Sequence, residues 1–474
     1  MATRTPTIDR QAPTAPSDAA PTASQAVEPP ADDAGPRGQD VLHGARDARD
    51  GGGGILQSVR LYPVFRLLIA GSLLSSSAFW MYQVAVGWLA LELTDSAMFV
   101  GLAGFAGGIP MLVLSIPAGV LIDRYDRRAV LLVAQVLVMI VSALFAALVW
   151  FDAIAPWSML VLVTLYGIVM SFNFPTRAAM VAAMVRREDL ANAVALNAAT
   201  QNATRVIGPS LAGVLIALTG MAETFVLASV FQLLALLTTR AMPSMAAARS
   251  QDVAGAAPAR GSRGMEALTV GLRIVAGSPY LTGLIVLSLA PTLFVMPYIN
   301  LMPVFARDVL ALGATGLGVL LAATGLGTVG GALSVARSAR MQTMPGIQVV
   351  MALAFTLGVT GFALSRSLLV AIPLLFIAGW SSAAFLAINQ TAVQLSVGDE
   401  IRGRVLSVSL LIWGMLPIGQ LAVGALAGRI GVPSALLFAS ILSLLSIALI
   451  AQRYPWLRRA MAEHEQTVVV STVR

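Results

Sequence analysis

The sequence contains neither cysteine nor lysine. Without cysteine there is no disulfide framework and no thiolate metal site. Without lysine there is no phosphate-cradling Gly-x-x-x-x-Gly-Lys loop, so this chain alone does not draw on ATP directly. Histidine is nearly absent too: His43 and His464 lie in polar terminal stretches, far from every apolar segment, which excludes a His-based catalytic pair or a His-ligated metal within them. Charge is scarce, 11% of residues, where a soluble domain carries roughly 25%. No Asp or Glu falls in the middle of an apolar segment; Glu92, Asp95, Asp152, Glu223 and Asp308 sit near segment ends. No cofactor or metal is expected, and an enzyme has little to work with.

What is there is hydrophobic, 57% of 474 residues. Apolar segments recur at 66–91, 97–121, 129–151, 157–183, 194–219 and 222–241, then at 281–305, 313–336, 346–364, 368–395, 405–429 and 433–452. Each matches the roughly 20 residues that cross a bilayer. The chain reads as an all-α membrane protein of twelve transmembrane helices in two pseudo-repeated six-helix bundles. Residues 1–60 form an expected disordered cytoplasmic tail, 61–241 the first bundle, 242–278 a linker, 279–453 the second bundle and 454–474 a second cytoplasmic tail. In the linker, Met265, Leu268, Leu272 and Val275 fall at helical spacing and predict an interfacial helix.

Arginine distribution sets the expected orientation. With the N-terminus inside, sixteen arginines, from Arg60 and Arg66 through Arg453, Arg458 and Arg459, fall on the cytoplasmic side, against Arg307, Arg366 and Arg429 outside. Both termini are therefore expected in the cytoplasm and the chain in the inner (plasma) membrane. The net charge of +7 reflects topology, not nucleic-acid binding. A shift of 211 positions lays Glu188-Asp189-Leu190 on Asp399-Glu400-Ile401, Ile207-Gly208 on Ile418-Gly419, Gly213 on Gly424 and Gly220 on Gly431. Repeated halves around a midplane site are a transporter architecture.

The loop Gly119-Val120-Leu121-Ile122-Asp123-Arg124-Tyr125-Asp126-Arg127-Arg128 resembles the signature of the major facilitator superfamily, matching at Gly119, Asp123, Arg124, Arg127 and Arg128, with Asp126 where the signature has Gly. Asp123 ends a helix whose dipole disfavours a carboxylate there, so it needs an outside partner. The resemblance implies the start of span eleven, near Arg402-Gly403-Arg404, and hence a latch between halves; the alternative for the arginines is anchoring among anionic headgroups. Arg205, Gly208, Pro209 and Gly213 in span five resemble part of the antiporter signature of exporting members, and an ordinary kinked helix packed through small residues would look the same. The texture around Asn173-Phe174-Pro175-Thr176-Arg177 is similar to the branch of enterobactin and macrolide exporters.

Asn197, Gln201 and Arg205 recur every four residues on one face of span five, which is polar. Arg205 is expected to contact either solute or helix-end carbonyls. Further cavity candidates are Trp80 and Gln83 in span one, Tyr166, Asn173 and Arg177 in span four, Met296 and Asn300 in span seven, and Trp380, Gln390 and Gln394 in span ten. For any single one of them, helix-helix contact is the commoner role. The family resemblance implies alternating access and export of a hydrophobic, drug-like or siderophore-like solute in exchange for protons, although Gln83 stands where proton antiporters carry an acid. Rivals are an importer or uniporter of the same fold and, from another class, a membrane enzyme or scaffold. The expected partners are a small solute, protons and lipid, with no nucleic acid and a monomeric chain.

Overall fold

A computed structural model describes residues 57–186, 188–243, 263–338, 341 and 346–455. Both histidines lie outside the described residues, as do most of the linker and of the two tails. Among the described residues there is no strand.

The first half holds spans one (Pro63–Thr94), two (Ala97–Arg124), three (Arg127–Trp150), four (Pro156–Ala183), five (Leu190–Leu218) and six (Met221–Arg240). The second holds spans seven (Pro279–Val309), eight (Ala314–Arg337), nine (Ile347–Leu364), ten (Leu368–Leu395), eleven (Asp399–Ile430, interrupted at Met415) and twelve (Val432–Arg453). Short helices precede each half, Gln57–Leu61 and Arg263–Gly277. Ten of the helices are long and apolar enough to cross a membrane. Span five falls short because Asn197, Gln201, Asn202 and Arg205 dilute it, and span eleven because its helix stops at Gly414 and resumes at Leu416.

The repeat is visible in side-chain packing. In the first half Tyr82 of span one meets Phe145 of span three edge-on, ring centroids 5.5 Å apart. In the second, Tyr298 of span seven meets Phe362 of span nine at 6.4 Å. The two pairs are related by shifts of 216 and 217 positions. All four rings are buried. The 211-residue shift at spans five and six extends to backbone geometry: Gly220 and Gly431, just before spans six and twelve, both take positive φ, 121° and 82°, a region where a side chain is strained.

The halves meet through backbone. A Cβ on Gly101 (span two) would lie 2.7 Å from the Gly424 Cα (span eleven), and one on Gly213 (span five) 2.7 Å from the Gly318 Cα (span eight). Small residues permit such approach where lipid offers no hydrophobic drive to association. Both crossings lie toward the end opposite the arginine-rich loops. There Arg307 of span seven pairs with Asp95, the left-handed C-cap of span one.

Candidate transport pathway

Span five positions the central cation. Arg205 lies 15 residues from the helix start at Leu190, about 22 Å along the axis at 1.5 Å per residue. An arginine at such depth costs about 2.5–3.5 kcal/mol or more unless compensated. Its guanidinium carbon sits 5.6 Å from the Trp80 ring centroid, a contact typically giving about 0.5–2 kcal/mol. Tyr298 of span seven is its other electrostatic neighbour. Arg205 is half-buried, with no carbonyl bonded and no ion pair among the described residues. No bond from Arg205 to a helix-end carbonyl, its alternative role, is present among the described residues.

Around it the interior stripe of span one is legible by contact. Ser76 donates to Gln201 Oε1 at 2.9 Å. Gly208 lies against Trp80 and Ser77, and Gly87 against Pro303 of span seven. Gln83 shares this stripe by helical spacing and is exposed. Toward the far end Gln420 of span eleven donates to Asn300 Oδ1 at 3.0 Å. Met296 is half-buried.

The other predicted residues have contacts of their own. Tyr166 is buried and stacks on Tyr82 at 3.6 Å, inside the aromatic interior of the first half, not on an accessible wall. Trp380 donates through Nε1 to Ser334 of span eight at 3.1 Å and so holds spans eight and ten together. Gln390 is exposed and Gln394 half-buried, and Asn197 keeps a buried Oδ1 without a partner. Asn173 and Arg177 are buried, and Arg177 donates to Ser72 Oγ at 2.9 Å. The antiporter-like residues divide: Gly208 serves contact within the half, Gly213 contact between halves, and the helix runs unbroken through Pro209.

At the arginine-rich loop, Arg127 donates to the Ala179 carbonyl near the end of span four at 3.3 Å. Arg128 donates to the Thr239 and Arg240 carbonyls ending span six, at 3.3 and 2.8 Å. Cations there satisfy helix-end carbonyls and the dipole. These two arginines thus clamp helix ends within the first half, a role the sequence reading did not include. Gly119 has open space where a Cβ would stand. The Asp123 and Arg402 side chains lie outside the described residues.

Sequence reasoning also missed Tyr298, and Gln135 and Gln232, fully buried in spans three and six. A lone glutamine within an otherwise apolar run was the available signal for the last two. Near the same end, Tyr62 donates to Asp189 Oδ2 at 2.7 Å and Ser58 to Asn192 Oδ1 at 2.7 Å, tying helix Gln57–Leu61 to the start of span five. Burial, and then the hydrogen bond to the Asp189 carboxylate, hold the Tyr62 phenol above its ordinary pKa.

An arginine over a tryptophan lies between two repeated six-helix halves. The family described as "Transmembrane secretion effector" matches residues 60–468. The chain belongs to this transmembrane secretion effector family of the major facilitator superfamily. It is a multi-pass membrane transporter and not an enzyme. Among its relatives, a staphyloferrin A transporter of Staphylococcus aureus is 23% identical over 354 residues, 74% of this chain and 87% of that one. The enterobactin exporter EntS of Shigella flexneri is 28% identical over 358 residues, 74% and 81%. The fold is shared with a bacterial homologue of the human lysosomal transporter Spinster, inward-facing and unoccupied, at TM-score 0.64, 14% identity and coverage of 84% and 98%. A D-xylose-proton symporter superposes at TM-score 0.66 with 12% identity, covering 84% and 99%. For a secretion effector, the polar stripe of spans one and five is the candidate path.

Proposed function

We propose that this secretion effector exports a siderophore-like solute across the inner membrane by alternating access, with both termini cytoplasmic and protons as the counter-flow. The observation that carries the reading is Arg205, stacked on Trp80 beside Gln201, half-buried and free of any ion pair. A cation held at mid-depth on an aromatic platform suits a solute with aromatic or amphipathic bulk and polar oxygen groups. The relatives named for staphyloferrin A and enterobactin support the same solute class. The glycine crossings and the Arg307–Asp95 pair are contacts that a rocking motion of the halves would break and remake.

The test is efflux from proteoliposomes loaded in turn with iron-free enterobactin and iron-free staphyloferrin A, with an imposed pH gradient and no nucleotide. Gradient-dependent loss of either solute is expected, and its abolition by a protonophore. Loss insensitive to the protonophore would favour uniport, the reading to which the lack of a mid-span acid points. A reporter fused after Arg474 that is active only on the outer side would overturn the orientation.

A further inference from the structure

Arg177 lies in span four six residues before its end at Ala183, about 9 Å along the axis from the arginine-rich end. It is 3% exposed. One guanidinium nitrogen donates to Ser72; Nη2 has no partner. One helical turn away, Asn173 is 2% exposed and its Nδ2 has none either. No ion pair reaches Arg177 among the described residues. Two buried N–H donors and a full positive charge on one helix face therefore lack an acceptor, a state that proteins rarely leave uncompensated.

The second half shows what the helix contact itself requires. Shifts of 216 and 212 positions carry Ser72 to Ser288 and Arg177 to Asn389, and Asn389 Nδ2 donates to Ser288 Oγ at 2.7 Å. The same bridge between equivalent helices is made there by a neutral amide. At the place of Asn173 the second half has Phe385. The charge and the spare donors at Arg177 and Asn173 thus exceed what holding spans one and four together needs.

We infer that Arg177 and Asn173, buried in this conformation, form an oxyanion-binding station when the halves part at the arginine-rich end, and that it takes a carboxylate-type group of the solute before Arg205 does. A guanidinium offers its donors in a planar fork that fits two oxygens of one carboxylate. Asn173 adds a donor from the preceding turn. The transported solute is then selected as an anion, and a neutral molecule of the same shape is refused. The direction of passage rests on the export reading above, whereas the anion station does not require the solute to be a siderophore.

The experiment uses the full chain in phosphatidylcholine nanodiscs, which contain no anionic lipid, with citrate and its neutral trimethyl ester as probes. Wild-type protein is expected to be stabilised against heat by citrate and not by the ester. Asn173→Asp places a carboxylate beside the guanidinium as a permanent occupant. That variant should melt higher than wild type in the absence of probe and bind citrate at least tenfold more weakly. Arg177→Asn copies the bridge of the second half, so it should fold, and it should lose the preference for citrate over the ester. A purely structural Arg177 would let both variants change melting without changing that preference. Undiminished citrate binding in Asn173→Asp overturns the inference, as does equal stabilisation by the ester or no response of wild type to citrate. Repeating the assay with phosphatidylglycerol separates the two sources of oxyanion: competition by that lipid in wild type but not in Asn173→Asp would support the station, with a headgroup as its ligand. Failure of siderophore efflux with citrate selectivity intact would sink the function proposed above and leave the station standing. Efflux with no change in selectivity between wild type and Asn173→Asp would do the reverse.

Discussion

Spans five and eleven occupy equivalent places in the two halves. The first runs unbroken from Leu190 to Leu218, through Pro209, whereas the second stops at Gly414, turns at Met415 and resumes at Leu416. Spans one and seven differ in the same sense. Span one is a single helix of 32 residues; span seven passes through two wider segments, Pro291–Val295 and Phe305–Val309, with Pro291, Pro297 and Pro303 in its course. Proline removes a donor and displaces the hydrogen-bond ladder, which such wider turns accommodate. The irregular places touch, since Gly419 of span eleven lies against the Leu293 carbonyl of span seven. The interior charges sort the other way: Arg177 and Arg205 belong to the first half, and their equivalents at shifts of 212 and 211 are Asn389 and Leu416. The two buried or half-buried arginines of the interior thus lie on uninterrupted helices, and the interruptions fall in the helices that carry their neutral equivalents or pack against them.

The sharpest way to break this comparison is to move the charge. Arg205→Ala should lower transport per folded molecule at least tenfold, and Arg205→Lys should fall between it and wild type, because lysine keeps the charge but not the planar fork. Placing arginine at the equivalent position, Leu416→Arg, should lower the yield of folded protein, since charge in that half has no platform like Trp80 and costs about 2.5–3.5 kcal/mol. Wild-type transport in Arg205→Ala would remove the distinction between the halves. Next in size are the crossings. Gly213→Leu would drive a side chain into the Gly318 backbone and Gly101→Leu one into Gly424; each should reduce transport severalfold, with overpacking strain of about 1–3 kcal/mol. Cysteine pairs introduced across spans five and eight should show less cross-linking in Gly213→Leu. Equal loss from both variants would mean that the two crossings move together.

Most of the fold was legible because span length is a strong, local signal. Span eleven shows where this ends. Its run 405–429 is apolar enough to be read as one helix, and nothing in Trp413-Gly414-Met415-Leu416-Pro417 says whether proline will kink a helix, as Pro209 does not visibly interrupt span five, or stop it. Neighbours decide, here Leu112 of span two and Leu293 of span seven pressing on Gly414 and Gly419. The site was legible by half. A four-residue polar period found Arg205 and Gln201, whereas Tyr298 carries no such pattern, and Tyr166 shares the polar stripe of span four while packing on Tyr82. Periodicity finds a face, and only tertiary packing tells whether that face meets water or another ring.

Smaller effects sharpen the comparison. Asp123→Asn keeps size and removes charge at the end of span two, and a severalfold slower efflux in vesicles with equal protein is the expected outcome if that residue reaches the second half. Unchanged efflux would confine the loop to clamping helix ends through Arg127 and Arg128. Asp95→Asn breaks a pair whose acid is 82% exposed; such pairs contribute about 0.2–1 kcal/mol, so access at that end, read by labelling of an introduced cysteine, should rise no more than about fivefold. The smallest effect concerns Tyr62. Its phenol is held above the ordinary 10.0, so its contribution is complete below that pH and fades as pH rises through the shifted value. Release of helix Gln57–Leu61, read by the fluorescence of a probe on a cysteine introduced there, should therefore set in only above about pH 10, and Tyr62→Phe should remove that inflection.

The glycine crossings carry one more consequence. Where Gly101 meets Gly424 and Gly213 meets Gly318, the sliding surfaces are peptide backbone, with no rotamers to reset as the halves tilt. Interlocked side chains would have to leave one set of notches and find another, and each jump would add its own barrier. If the halves rock as proposed, backbone sliding on backbone would meet fewer such barriers. The pace of the cycle would then be set by how long the solute stays on its arginines, and a tighter-binding solute would be carried more slowly even at saturating concentration.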